Sequence, residues 1–117
     1  MINFLNIKSI NQRHRNELIE AMTDVLDSGI YIGGEYVASF EKEFASYSGT
    51  KYAVGVGNGL DALSLTLQAW KEMGLLKDGD EIIVPGNTFI ASVLAVLKQN
   101  LKPILVDPDP STHNRSK

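Results

Sequence analysis

Cysteine is absent from the 117 residues, which excludes disulfides, thiolate metal sites and a cysteine nucleophile. Nothing asks for an oxidising compartment, and the cytoplasm is the expected location. Basic residues are outnumbered, eleven against fourteen acidic ones, so the net charge is -3 and no broad basic surface for nucleic acid is indicated. Long apolar runs are also missing. The most apolar stretch, residues 89–97, is about half of what a bilayer requires, and the amino terminus lacks a signal-peptide pattern. Neither a membrane span nor a secretion signal is expected. Proline is limited to four residues, with no low-complexity tract or solenoid repeat. What is present is ordinary, 44% apolar and 21% charged, which suits one modest globular unit and argues against intrinsic disorder. Small molecules or proteins are the expected partners.

The pattern changes near residue 50. Before it, Leu18, Met22, Val25 and Leu26 share one helical face and Ser28 and Gly29 form a stop signal. The Tyr31-Ile32-Gly33-Gly34 turn then leads to a second periodic set, Val37, Phe40, Phe44 and Tyr47, closed by Gly49. The charged face of this second helix, with Glu35, Glu41, Lys42 and Glu43, reads as solvated surface. After residue 50, short β-rich runs alternate with helix-length segments. The pattern predicts βαβαβ, with strands at 52–56, 81–85 and 102–107 and helices near 60–73 and 90–99. Leu63, Leu67 and Trp70, and then Val93, Leu94 and Leu97, are the expected inward residues. The expected fold is therefore α/β, a helical segment over 1–50 followed by a largely parallel α/β domain over 51–117.

In an open α/β sheet, ligands bind beyond the carboxyl ends of the strands. The first such loop, Gly55-Val56-Gly57-Asn58-Gly59-Leu60-Asp61, runs through glycines straight into a helix. Free N–H groups and the positive end of the helix dipole favour a phosphate there. Asn58 can cap the helix and Asp61 can reach back as in a capping box, so a well-capped turn without ligand is the alternative. A dinucleotide fingerprint would need glycine where Leu60 stands, and a Walker A loop would need a lysine where none occurs between Lys51 and Lys71. The second loop puts Phe89 at a strand end, either as a ring for stacking a planar cofactor or as core packing. The third, Asp107-Pro108-Asp109-Pro110, offers two carboxylates or simply a stiff surface turn. His14 and His113 have no diagnostic acid–base spacing and receive no catalytic role.

Taken in order, Tyr31 to Gly34, Phe40-Glu41, Tyr52 to Val56, Asn58 to Leu63, Gly79 to Pro85, Thr88 to Ser92 and Val106-Asp107 resemble the amino-terminal part of the DegT/DnrJ/EryC1/StrS nucleotide-sugar aminotransferases. The resemblance runs from about residue 3 to residue 114. It implies the first portion of the large domain of the aspartate-aminotransferase fold (pyridoxal-phosphate fold type I). It also implies transfer of an amino group from glutamate to a nucleotide-linked keto sugar, in a homodimer. By the same resemblance Asn58, Gly59 and Leu60 hold the cofactor phosphate, Phe89 stacks on the pyridine ring, and Tyr31, Gly33 and Gly34 lie near the sugar nucleotide. Leu60 stands where many relatives have threonine, so a side-chain hydroxyl contact is lost. The Asn58 to Leu63 sequence is most similar to the branch acting on dTDP-linked 3-keto-6-deoxyhexoses.

Amino transfer needs a lysine for the Schiff base and an acid at the pyridine nitrogen. In the family both lie beyond residue 117, and none of the eight lysines here, Lys117 included, stands in the family's lysine motif. No catalytic residue is therefore assigned, and the chain reads as a truncated piece of an enzyme, inactive alone. The alternatives are the family's sugar dehydratase branch, with histidine in place of that lysine, and a non-catalytic anion-binding domain.

Overall fold

The computed structural model describes residues 4–113, so the closing residues 114–117, with Lys117, lie outside the described residues. Seven elements follow one another: α1 (Ile7–Gln12), α2 (Arg15–Ser28), α3 (Glu35–Ser48), α4 (Gly59–Glu72), β1 (Glu81–Pro85), α5 (Ile90–Lys98) and β2 (Lys102–Val106). The chain divides after Gly55 into two compact units. None of the described helices is long and apolar enough to cross a membrane.

The first unit is helical. Helix α1 was not expected; it starts at Asn6, whose side-chain oxygen accepts the Ser9 N–H at 3.1 Å, and it is too short for apolar periodicity to show in the sequence. Helices α2 and α3 end at Gly29 and Gly49, both in the left-handed region where glycine carries no Cβ penalty. The apolar stripe of α2 is not covered, with Met22 and Leu26 each about two-thirds exposed. On α3 only Ala45 is buried, while Phe40 and Phe44 stack with ring centroids 5.7 Å apart.

The strand expected at 52–56 does not form. A strand exists through its ladder partner, and among the described residues none pairs with this segment. Its Gly55 N–H instead donates to Glu41 Oε1 at 2.7 Å. The expected βαβαβ is thus α4, β1, α5, β2.

In the second unit β1 and β2 pair in parallel, Glu81 opposite Lys102 through Pro85 opposite Val106, with α5 as the crossover. The core comprises Leu67, Val84, Ala95, Val96 and Leu101, joined by partly buried Leu60, Leu76, Ile82 and Val93. Leu94 and Leu97, expected inward, are exposed, because α5 meets α4 and the strands through Ala95 and Val96. Trp70 and Leu63 are half-exposed. At the far end, the Lys71 ammonium donates to the Gln99 carbonyl at 2.9 Å and pairs with Asp78, tying α4 to the loop before β1 and to the end of α5.

Candidate functional site

The turn at 57–61 is built by Asn58. Extended at the helix start, it accepts the Asp61 N–H on Oδ1 at 2.9 Å and donates from Nδ2 to Asp61 Oδ2 at 3.0 Å. Asp61 thus reaches back to the Asn58 side chain, whereas a capping box would take it to the Asn58 backbone N–H. The Asn58 carbonyl accepts the Ala62 N–H, the first bond of the helical ladder. Of the orphan donors that open a helix, that of Asp61 is satisfied by the Asn58 side chain. The N–H groups of Gly59 and Leu60 find no acceptor among the described residues.

The side chains around these two donors sort themselves. Leu60 packs against the core, so its backbone faces out while its side chain anchors the turn. A Cβ built on Gly59 meets nothing within 4 Å, leaving space above the free donors. A Cβ on Gly57 would stand 3.1 Å from Asp61 Oδ2 and would press on the carboxylate that Asn58 holds. On the far side of Asp61, Lys98 Nζ lies 3.9 Å from Oδ1. Two unpaired backbone donors at the positive end of a fourteen-residue helix make an arrangement suited to a phosphate oxygen.

Phe89 caps α5 at the carboxyl end of β1 and is 78% exposed, so its ring takes no part in the core. Beside it, the Thr88 and Ser92 hydroxyls meet at 3.0 Å. The Gly86 N–H donates to the Val106 carbonyl at 2.9 Å, which sets the loops after β1 and β2 side by side. In the second of these, Asp109 accepts from the Ser111 hydroxyl, from the Ser111 N–H at 2.7 Å and from the Thr112 N–H. Those donors, the Ser111 hydroxyl foremost, hold its carboxyl below the ordinary range. Asp109 is thus occupied in closing its own turn.

Tyr31, Gly33 and Gly34 lie in the first unit, on a cleft of about 310 Å³ between the end of α2 and the start of α3. Gly33 and Gly34 have φ of 71° and 84°, and a Cβ on Gly34 would press Ile30 Cγ2 at 2.9 Å. Tyr31 donates its hydroxyl to the Leu26 carbonyl at 3.2 Å. Tyr36, on the same cleft, was not singled out by the sequence. Desolvation, with its 3.1 Å bond to Asp24 and nearby carboxylates, raises its phenol above the ordinary value. The sequence places Glu41 on a solvated face, yet it holds Gly55; it follows Val37 by one helical turn, so an acid on the apolar stripe is the available signal. His14 pairs with Glu17 at 3.1 Å on the exposed start of α2.

A profile of the DegT/DnrJ/EryC1/StrS aminotransferase family matches residues 12–117. The chain belongs to this family. Over 114 residues, 97% of this chain and 30% of the relative, it is 52% identical to the dTDP-3-amino-3,6-dideoxy-alpha-D-galactopyranose transaminase of Aneurinibacillus thermoaerophilus. Its fold is similar to that of S. venezuelae DesV, crystallised with a ketimine intermediate, with a TM-score of 0.88 at 41% identity, covering 98% of this chain and 30% of that one. A GDP-4-keto-6-deoxymannose-3-dehydratase crystallised with a trapped PLP–glutamate geminal diamine is also similar, with a TM-score of 0.73 at 38% identity over 78% of this chain and 24% of that one. The described α/β elements are thus those of the amino-terminal portion of the family fold, and the chain spans about 30% of the length of these aminotransferase relatives.

Proposed function

We propose that this chain is the amino-terminal part of a pyridoxal-phosphate-dependent nucleotide-sugar aminotransferase that moves an amino group from glutamate to a keto-deoxyhexose, with a dTDP-linked 3-keto-6-deoxyhexose favoured by its 52% identical relative. The observation that carries the reading is the pair of free N–H groups at Gly59 and Leu60 beneath open space. The donor set fits the group: backbone donors at a helix N-terminus suit a phosphate monoester, and the exposed Phe89 ring suits a planar heterocycle.

In this reading Asn58 fixes the donors, Gly59 leaves the approach clear, and Leu60 binds through its backbone alone because its side chain is committed to the core. Phe89 offers a flat face, and Tyr31, Gly33 and Gly34 serve the sugar nucleotide. The bound cofactor supplies the electron sink that amino transfer needs. The lysine that holds it and the acid at its pyridine nitrogen would come from the portion of the relatives that this chain does not span. We read the complete protein as a cytoplasmic homodimer, and the uncovered apolar stripe of α2 accords with burial against further protein.

The similarity to a dehydratase favours a second reading, sugar 3-dehydration by the same cofactor. Incubating the purified full-length protein with glutamate, pyridoxal phosphate and a dTDP-keto sugar separates them: amino-sugar product supports the transferase, deoxygenated product the dehydratase. Failure to bind the cofactor at all would overturn both.

A further inference from the structure

The acid of the turn poses an electrostatic problem. A phosphate accepted by Gly59 and Leu60 stands in the same helical turn as the Asp61 carboxylate, and two anions so close repel each other. Asp61 is nevertheless needed, because its carboxylate accepts the Asn58 amide and so fixes the cap. Among the described residues one cation stands against it: Lys98, in the last turn of α5, with Nζ 3.9 Å from Asp61 Oδ1. Lys98 approaches the carboxylate oxygen that Asn58 leaves free, since Asn58 uses Oδ2 and Lys98 faces Oδ1.

We infer that Lys98 is a positioning residue for the cofactor phosphate, acting through Asp61. Its ammonium offsets the carboxylate's charge and keeps that carboxylate turned toward Asn58, so the helix start remains both ordered and electropositive. The inference rests on the cofactor reading above and adds a residue two elements further along the chain. Both side chains reach solvent, Asp61 at 38% and Lys98 at 59%, so the effect is that of a screened pair and modest in size.

The test is equilibrium binding of pyridoxal phosphate and of unphosphorylated pyridoxal to the full-length protein and its variants at low salt. Lys98→Ala should weaken pyridoxal phosphate binding about twofold to fivefold, the range of an exposed pair, and leave pyridoxal unchanged. Lys98→Glu should weaken it further, and Lys98→Arg should restore it. In an Asp61→Asn background, Lys98→Ala should have almost no additional effect. Equal losses for both ligands, no loss for either, or a loss undiminished in the Asp61→Asn background would each overturn the role of Lys98. A wild-type protein that binds pyridoxal as tightly as pyridoxal phosphate would overturn the cofactor reading itself, and this inference with it.

Discussion

Glu41 Oε1 accepts the backbone N–H of Gly55 at 2.7 Å, a charge-assisted bond between α3 and the extended segment that leads to the glycine turn. It takes the place of the ladder bonds that this segment lacks. A Cβ on Gly55 would stand 3.3 Å from the same oxygen, a close approach that would press on the carboxylate, and 3.8 Å from Val37. Glu41→Ala should lower stability by about 1.5 kcal/mol, the lower end for a hydrogen bond to a charged group. Gly55→Ala should cost less in the Glu41→Ala background than in the wild type. Urea denaturation of the four proteins gives the coupling; additive effects would show that the two residues are independent.

Gly59→Val separates folding from binding. Its Cβ meets nothing within 4 Å, so unfolding midpoints should hardly change. In the presence of the cofactor, the added isopropyl group crowds the donors at Gly59 and Leu60, and affinity for pyridoxal phosphate should fall roughly tenfold or more, about 1.4 kcal/mol. Fluorescence titration of the apo-protein checks this, and an unchanged affinity would return the turn to a plain capped helix start.

Replacing Phe89 should leave stability intact, since the ring is 78% exposed. Stacking contributes roughly 0.5–1.5 kcal/mol beyond area burial, so Phe89→Ala should weaken cofactor binding by about that amount while Phe89→Tyr preserves it. Equal affinities for the two variants would remove Phe89 from the site.

Ser64 is 2% exposed on α4, and its hydroxyl has no hydrogen-bond partner among the described residues. A buried, unpaired hydroxyl is destabilising, so Ser64→Ala should raise stability by about 1 kcal/mol. The urea midpoint should rise at constant slope; a fall would mean that the hydroxyl is satisfied in solution.

The Asp109 carboxyl is held low by the Ser111 hydroxyl and the N–H groups of Ser111 and Thr112. A depressed folded-state value means that its contribution is present above the ordinary carboxylate range and is lost as pH falls through the folded value. Ser111→Ala should shift the Asp109 carbon resonance titration upward, toward the ordinary value. No shift would mean that the side-chain bond is not formed.

The helix stops at Gly29 and Gly49 and the start at Asn58 were legible because each depends on one residue's backbone or side-chain chemistry. The strands at 81–85 and 102–106 were legible from their β-branched runs. The segment at 52–56 carries a strand's composition, but pairing is a property of two segments and composition describes only one. Burial failed to follow periodicity for the same reason: Leu94 and Leu97 fall on an apolar stripe, yet α5 presents Ala95 and Val96 to its neighbours. At the site, the glycine turn and its cap were visible in order of residues. The Lys98 contact was not, since it joins positions far apart in sequence, and Glu41 was hidden by sharing its helix with acids that do face water.

Leu60 packs its side chain against the core while its N–H has no acceptor among the described residues, so one residue belongs both to the packing and to the proposed anion cradle. Any ligand that engages the N–H must therefore also oppose release of the side chain, and occupancy becomes linked to the opening of α4. For a ligand that binds only the folded form, a concentration of one hundred times Kd adds about 2.7 kcal/mol to the unfolding free energy. Amide exchange at Leu67, Ala95 and Val96, well away from the cradle, would slow as the ligand is added and would report its arrival as faithfully as the turn itself.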